Sequence, residues 1–334
     1  MGNVSSTLTT AKVDKKDEFY TRYEDIELEV NEYLKVDPDI FKDKVVHCPC
    51  DNPEWSNFTK YFVNNFKKLG LKKLISTCYI EDVSDGLFDL NGEKDKTKNG
   101  RVYILTKETY NDDIDVDNLN YDYLDTDGDF YNMEITNYRN QSDIIVTNPP
   151  FSLFRKFIKW CQPEKRKILL IGNMNASSCK EVFDLFVENK IWLGVTAFTT
   201  GLYFYVPDDY VYKDSYKFKK EIDGKKVMRV PGVCWFTNLE HTQRSKEIKL
   251  IDKDIKEYQR YDRYDAIDVP NINLIPKNYT GKMGVPITFL NKYNPKQFEI
   301  LGIDMYMEDS VIPGKRFKKG GDNTYARIII KKRS

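Results

Sequence analysis

Histidine is almost missing from this chain, two residues in 334, and none of its 17 glycines forms a Gly-x-Gly-x-x-Gly series. The first scarcity leaves little for a histidine-rich metal centre. The second removes the backbone cradle that dinucleotide phosphates need, and so disfavours a nicotinamide oxidoreductase. No apolar run approaches the length that crosses a bilayer, and the polar first residues do not read as a signal peptide. Charge of one sign is not in excess, with 52 Lys and Arg against 52 Asp and Glu, which argues against blanket adhesion to a polyanion. The six cysteines lack a disulfide spacing and sit in strand-like or helical company (Cys48, Cys78, Cys161). That is the pattern of buried thiols in a reducing compartment, expected here to be the cytoplasm. His47-Cys48-Pro49-Cys50 has no second ligand pair at zinc spacing, so no metal is expected.

Aromatics are plentiful, with 23 Tyr and 19 Phe, and charge is unevenly spread. Residues 81–143 hold 17 acids against 6 bases, whereas 313–334 hold 8 bases and one acid, Asp322. A locally basic surface binds phosphates even on a neutral protein, so DNA stays allowed. Residues 1–16 read as a disordered Ser/Thr/Lys-rich tail. Strand-like runs at 44–50, 73–80, 143–147, 167–172 and 191–195 alternate with helical periodicity at 54–69, 152–161 and 179–189. The 54–69 helix has Gly70 at its end and the 152–161 helix has Ser152 as its N-cap. Residues 85–107 look like a polar hairpin insertion around Asn99-Gly100. The alternation predicts an α/β fold with a mostly parallel sheet covered on both faces. From about Pro207 the pattern turns Tyr-rich and irregular. The expected division is therefore 1–16, 17–206 and 207–334.

Chemistry concentrates at Asn148-Pro149-Pro150-Phe151, directly after the apolar run 143–147. An amino group conjugated to a purine is a poor nucleophile because its lone pair is delocalised. The Asn148 side-chain oxygen and a carbonyl of the proline pair can accept both N–H groups and favour a pyramidal nitrogen. The prolines fix φ and stiffen the loop, and Phe151 offers a flat face to an unstacked base. The blander reading is a proline-rich turn with a core phenylalanine. In open α/β sheets, ligands sit beyond the carboxyl ends of the strands, so Cys50-Asp51-Asn52-Pro53 and the Asn148 loop are expected to share one crevice. Asp51 and Glu54 would repel a phosphate and attract a cationic cofactor such as S-adenosylmethionine, unless Asp51 merely caps a helix. Asp129-Phe130 suits an adenine, or else a solvated turn. Two stretches interleave bases with rings: Tyr212, Lys213, Tyr216, Lys217, Phe218, Lys219, Lys220; and Tyr258, Arg260, Tyr261, Arg263. With Lys315, Arg316, Lys318 and Lys319 they read as phosphate contacts or as ordinary solvated surface.

Several segments together resemble the EcoRI-type adenine-specific DNA methyltransferases: 17–21 (Asp-Glu-Phe-Tyr-Thr), 45–51 (Val-Val-His-Cys-Pro-Cys-Asp), 143–154, 190–194 (Lys-Ile-Trp-Leu-Gly), 234–241 (Cys-Trp-Phe-Thr-Asn-Leu-Glu-His) and 283–290 (Met-Gly-Val-Pro-Ile-Thr-Phe-Leu). The resemblance implies a Rossmann-like S-adenosylmethionine-dependent sheet followed by an irregular DNA-recognition region. It implies Phe19, Tyr20 and Thr21 beside the methionine part of the donor, Asp51 at its polar end, and Asp129-Phe130 around its adenine. Asn148, Pro149, Pro150 and Phe151 would hold the flipped target adenine, with Phe154, Trp235 or Phe236 also against the base. Cys48-Pro49-Cys50-Asp51 stands where the wider pattern has a Gly-rich turn, and Thr77-Cys78-Tyr79 stands where it has a ribose-binding acid. The implied reaction is direct transfer of a methyl group to adenine N6 without metal or covalent intermediate. It would be run by a monomer on double-stranded DNA as the modification arm of a restriction system, beside a separate endonuclease. GAATTC is the first site to test. The rivals are methylation of a protein glutamine amide, cytosine N4 methylation, and a catalytically silent DNA-binding protein of the same fold.

Overall fold

The computed structural model describes residues 20–81, 99–206, 212, 219–222, 224–307, 317–323 and 325–333. Its centre is an eight-stranded sheet in the order β5-β4-β3-β2-β6-β7-β12-β8. The strands are β2 (Val45–Cys48), β3 (Lys73–Cys78), β4 (Arg101–Thr106), β5 (Asp122–Tyr123), β6 (Ile144–Thr147), β7 (Lys167–Asn173), β8 (Trp192–Leu193) and β12 (Val233–Thr237). Only β3, β2, β6 and β7 run parallel to their neighbours. The expected mostly parallel sheet is therefore a mixed one: β4 and β5 extend one edge antiparallel, and β12 pairs antiparallel with both β7 and β8. Asn99-Gly100 is not a hairpin tip. Asn99 is buried, with its side-chain amide on the Leu124 carbonyl, and Gly100 donates to Thr126 at the entry to β4. Residues 82–98 lie outside the described residues.

Alternation along the central strands splits the core in two. Ile144, Val146, Leu169, Ile171, Val233 and Trp235 face α1 (Tyr23–Leu34) and α2 (Asn57–Asn64). Ile145, Ile168, Leu170, Cys234 and Phe236 face α4 (Met133–Gln141), α5 (Phe154–Cys161) and α6 (Lys180–Val187). Strands buried on both faces read as continuous apolar runs, which is how they were legible. The helix expected over 54–69 breaks at Asn65 into α2 and α3 (Phe66–Leu69), and Gly70 closes α3 at φ 65° in the left-handed region, as its position predicted.

The region after Pro207 has a small cluster of its own (Tyr261, Tyr264, Ala266, Phe317 and Ile329) and also packs on the main core. It contributes β12 to the main sheet. Its β13 (Ile267–Asp268), β14 (Met283–Pro286), β15 (Phe298–Ile303) and β18 (Arg327–Lys332) form a second sheet, whose Met283, Val285, Ile300, Ile328 and Ile330 join the cluster around α5 and α6. A third sheet joins β1 (Tyr20–Thr21), β9 (Leu202–Tyr205), β11 (Lys225–Val230) and β10 (Lys219–Ile222). Among the described residues, no helix is long and apolar enough to cross a membrane.

Candidate active site

A cleft of about 1000 Å³ opens at the carboxyl ends of β2, β3, β6 and β7. Both loops expected to share a crevice line it, Cys50–Asn52 from β2 and Asn148–Phe154 from β6. Asn148 and Phe151 are half-buried, Pro149 is buried and Pro150 is exposed. The Pro150 carbonyl accepts from Leu153 N–H at 2.9 Å and the Phe151 carbonyl from Phe154 N–H at 3.4 Å. That tight turn starts α5 at Phe154 with Leu153 at the cap position and no side-chain cap. Ser152 is thus an exposed turn residue rather than the N-cap, because backbone carbonyls already take the first N–H groups. The turn engages the Pro150 carbonyl, whereas among the described residues no backbone N–H bonds to the Pro149 carbonyl.

Asp51 is 4 % exposed and both its oxygens are engaged. Oδ1 accepts from Ser56 Oγ at 2.7 Å and Oδ2 from Thr147 Oγ1 at 2.6 Å. Burial pushes its carboxyl up to about 7, against the two hydroxyls, which favour the ionised form. Burial wins because two neutral donors do not replace a carboxylate's hydration. Ser56, whose Oγ accepts from Phe58 N–H at 3.1 Å, caps α2, so Asp51 does not.

Pairing of β1 with β9 brings Tyr20 and Thr21 to the cleft wall. Asn57 Nδ2 donates to the Thr21 carbonyl at 2.7 Å, and the Tyr20 ring meets Trp55 edge-on at 4.5 Å. Thr21 Oγ1 is buried, with no partner among the described residues. Phe19 lies outside the described residues. Asp129 and Phe130 also line the cleft. Asp129 Oδ1 accepts from Tyr131 N–H at 2.8 Å, as in a turn, while Phe130 is 5 % exposed and packs on Phe157 and Trp160.

Three aromatic expectations are placed differently. Trp235 and Phe236 are 0 % exposed, on opposite faces of β12, and neither lines the cleft. They are core residues and are not placed to meet a base. Phe154 lines the cleft but is 1 % exposed, its ring packed against Gly172 and Phe236. Thr147, Ser56, Trp55 and Asn173 line or brace the cleft and were not singled out in the sequence; Tyr79, noted there only as standing near a missing ribose-binding acid, lines it too. Only Asn173, closing an apolar strand after Gly172, carried a readable signal.

The basic stretches are also rearranged. Tyr258 and Tyr261 are buried, bonded to the Leu274 carbonyl (2.6 Å) and to Asp268 (2.9 Å), so those rings belong to the core rather than to a nucleic-acid groove. Arg260 and Arg263 are exposed, with Arg260 paired to Asp265 at 2.7 Å. Lys318 is exposed, whereas Lys319 is tied to Asp268 at 2.8 Å beside Arg327 at 2.9 Å. Lys219 and Lys220 lie on β10; Lys217, Lys315 and Arg316 lie outside the described residues. His47 is a buried, neutral core residue held by Thr77 at 3.1 Å, its ring pushed down to about 3 by burial. Among the described residues no three His, Cys, Asp or Glu gather as a metal site.

Comparison with known proteins adds to this geometry. The family model described as "Adenine-specific methyltransferase EcoRI" matches residues 7–333. The chain is 41 % identical over 329 residues to the type II methyltransferase M.EcoRI of Escherichia coli, covering 97 % of this chain and 95 % of that protein. It is 34 % identical over 339 residues to the type II methyltransferase M.MpnI of Mycoplasma pneumoniae, covering 97 % of each. To M.MgeORF184P of Mycoplasma genitalium it is 35 % identical over 340 residues, 96 % of this chain and 97 % of that one. No solved structure matches it.

Proposed function

The chain belongs to the adenine-specific methyltransferase EcoRI family, and from that premise we propose how its residues divide the methylation of adenine N6 in duplex DNA. The observation that carries the reading is the Asn148-Pro149-Pro150-Phe151 loop at the end of β6, on the same cleft as Asp51 and Thr21. The four parallel strands at the sheet's centre support a Rossmann-like core, with target recognition assigned to the region after Pro207.

The donor set suits S-adenosylmethionine. Asp51 suits its positively charged end, Asp129 can accept from its adenine amino group, Tyr20, Trp55 and Tyr79 give apolar faces, and Thr21 Oγ1 is a buried hydroxyl with no partner among the described residues. When bound, this group supplies a methyl carbon already activated on a sulfonium. Tyr20 and Thr21 would hold its methionine part, Asp51 its polar end, and Asp129-Phe130 its adenine. Asn148 Oδ1 and the Pro149 carbonyl accept the two N6 hydrogens of a flipped adenine. That draws the nitrogen out of conjugation and frees its lone pair. Phe151 supports the base from below. The released proton passes to water. Trp235 and Phe236 have no part in this arrangement.

The protein acts as a monomer in the cytoplasm, as the modification arm of a restriction system whose endonuclease is a separate chain. Asn148→Ala tests the assignment: methyl transfer to DNA is lost while S-adenosylmethionine still binds by calorimetry. Wild-type turnover in that variant would overturn it. Sequencing modified bases in DNA from cells expressing the chain reports the base and the site, with GAATTC as the first comparison.

A further inference from the structure

One polar group on the cleft wall has no role in the reading above. β7 ends in Gly172-Asn173, and the sheet order β2-β6-β7 puts this end on the side of the Asn148 loop away from Asp51. A Cβ on Gly172 would stand 2.4 Å from the Phe154 ring, so only glycine lets the first turn of α5 close over the strand beside Asn173. Asn173 is 8 % exposed. Its Oδ1 accepts from Asn175 N–H at 2.9 Å, capping the 3-10 turn Met174–Ser178, and Met174 N–H is held by the Gly232 carbonyl at 2.7 Å. The bond from Asn175 fixes which branch of the amide is oxygen, and so directs the NH2 branch elsewhere. Nδ2 is buried and finds no acceptor among the described residues. A buried donor left unmade is uncommon unless a ligand completes it.

Adenine carries ring acceptors, N1 and N7, on either side of its N6 amino group. The Asn148 loop offers acceptors for the amino hydrogens, and a base held there needs a donor for an adjacent ring nitrogen. We propose that Asn173 Nδ2 donates to the ring nitrogen next to N6 of the target adenine, making Asn173 a specificity-determining residue. Guanine, with a carbonyl in place of the amino group, fails at Asn148; a base lacking the ring acceptor fails at Asn173. The inference rests on the assignment of the Asn148 loop to the target amine.

The test pairs protein variants with base analogues. Asn173→Asp and Asn173→Ser keep an oxygen to cap the 3-10 turn and remove the amide donor; calorimetry with S-adenosylmethionine and thermal melting check that each is folded and binds the donor. Duplexes carry adenine, 1-deazaadenine or 7-deazaadenine at the methylated position. Wild type loses roughly tenfold in kcat/KM on the analogue missing the contacted nitrogen. The variants, already reduced by a similar factor on adenine, lose nothing more on that analogue. Equal penalties on wild type and variants for both analogues, or full activity of both variants on adenine, would overturn the role of Asn173. Failure of the underlying assignment shows separately, as normal turnover by Asn148→Ala.

Discussion

Thr147 Oγ1 donates to Asp51 Oδ2 at 2.6 Å, joining two residues 96 positions apart in the chain. Thr147 is the last residue of β6 and Asp51 lies three past the end of β2, so the bond crosses the seam between neighbouring parallel strands. It ties the donor side of the cleft to the residue immediately before Asn148. Removing the hydroxyl with Thr147→Val is expected to lower kcat roughly tenfold, since a misplacement of about 1 Å costs more than that. KM for S-adenosylmethionine should change much less. Thr147→Ser, which restores the donor, should recover most of kcat; steady-state kinetics on both variants decides, and equal defects in Val and Ser would show a packing effect only.

The Asp51 carboxyl, pushed up to about 7 by burial, predicts a pH dependence. Its folded value lies above the unfolded one near 3.8, so its contribution to stability is fully present below that unfolded value and is lost as pH rises through about 7. The cost at pH 8 is at most roughly 4 kcal/mol. Asp51→Asn escapes it, so the melting temperature of the variant should gain on wild type between pH 5 and pH 8. The histidines, whose rings burial pushes down to about 3 (His47) and about 4 (His241), act in the opposite direction but equally in both proteins. Parallel melting curves across that range would refute the burial argument.

Gly172→Ala places a methyl group inside the Phe154 ring, 2.4 Å from its nearest atom. The ring is packed on Phe236 at 4.8 Å, and α5 cannot retreat without disturbing the Asn148 loop that leads into it. Overpacking of this kind costs about 1–3 kcal/mol. Urea unfolding measures it, and the same variant should lose activity at temperatures where it is still folded.

Asp268 anchors the second sheet. Burial acts to raise its carboxyl, yet hydrogen bonds from Lys319, Arg327 and Tyr261 outweigh it and hold the group below the usual carboxylate range. Asp268→Ala leaves Arg327 without its buried partner and should destabilise the protein by roughly 3 kcal/mol. The stabilisation in the wild type is present above the ordinary carboxylate pKa and fades as pH falls below it. Denaturation at pH 7 and at a pH well below 3.8 should therefore separate the two proteins at the first pH more than at the second.

The sequence by itself determined the features whose physics is local. Apolar runs fixed the central strands, a glycine ended α3 at Gly70, and Asn148-Pro149-Pro150-Phe151 announced a stiff acceptor loop because prolines restrict their own dihedrals wherever they occur. The resemblance across six segments pointed to the family. Tertiary structure decided what depends on partners far along the chain. β12 enters the main sheet from beyond Pro207, which buries Trp235 and Phe236 although both are reasonable base-stacking residues by type. Tyr261 turns inward to Asp268, Asp51 is met by Thr147, and one branch of the Asn173 amide finds no partner among the described residues. Side-chain chemistry is written in the sequence, but whether a ring or a carboxylate faces ligand, core or another side chain is set by long-range packing. Residue type and spacing do not encode that.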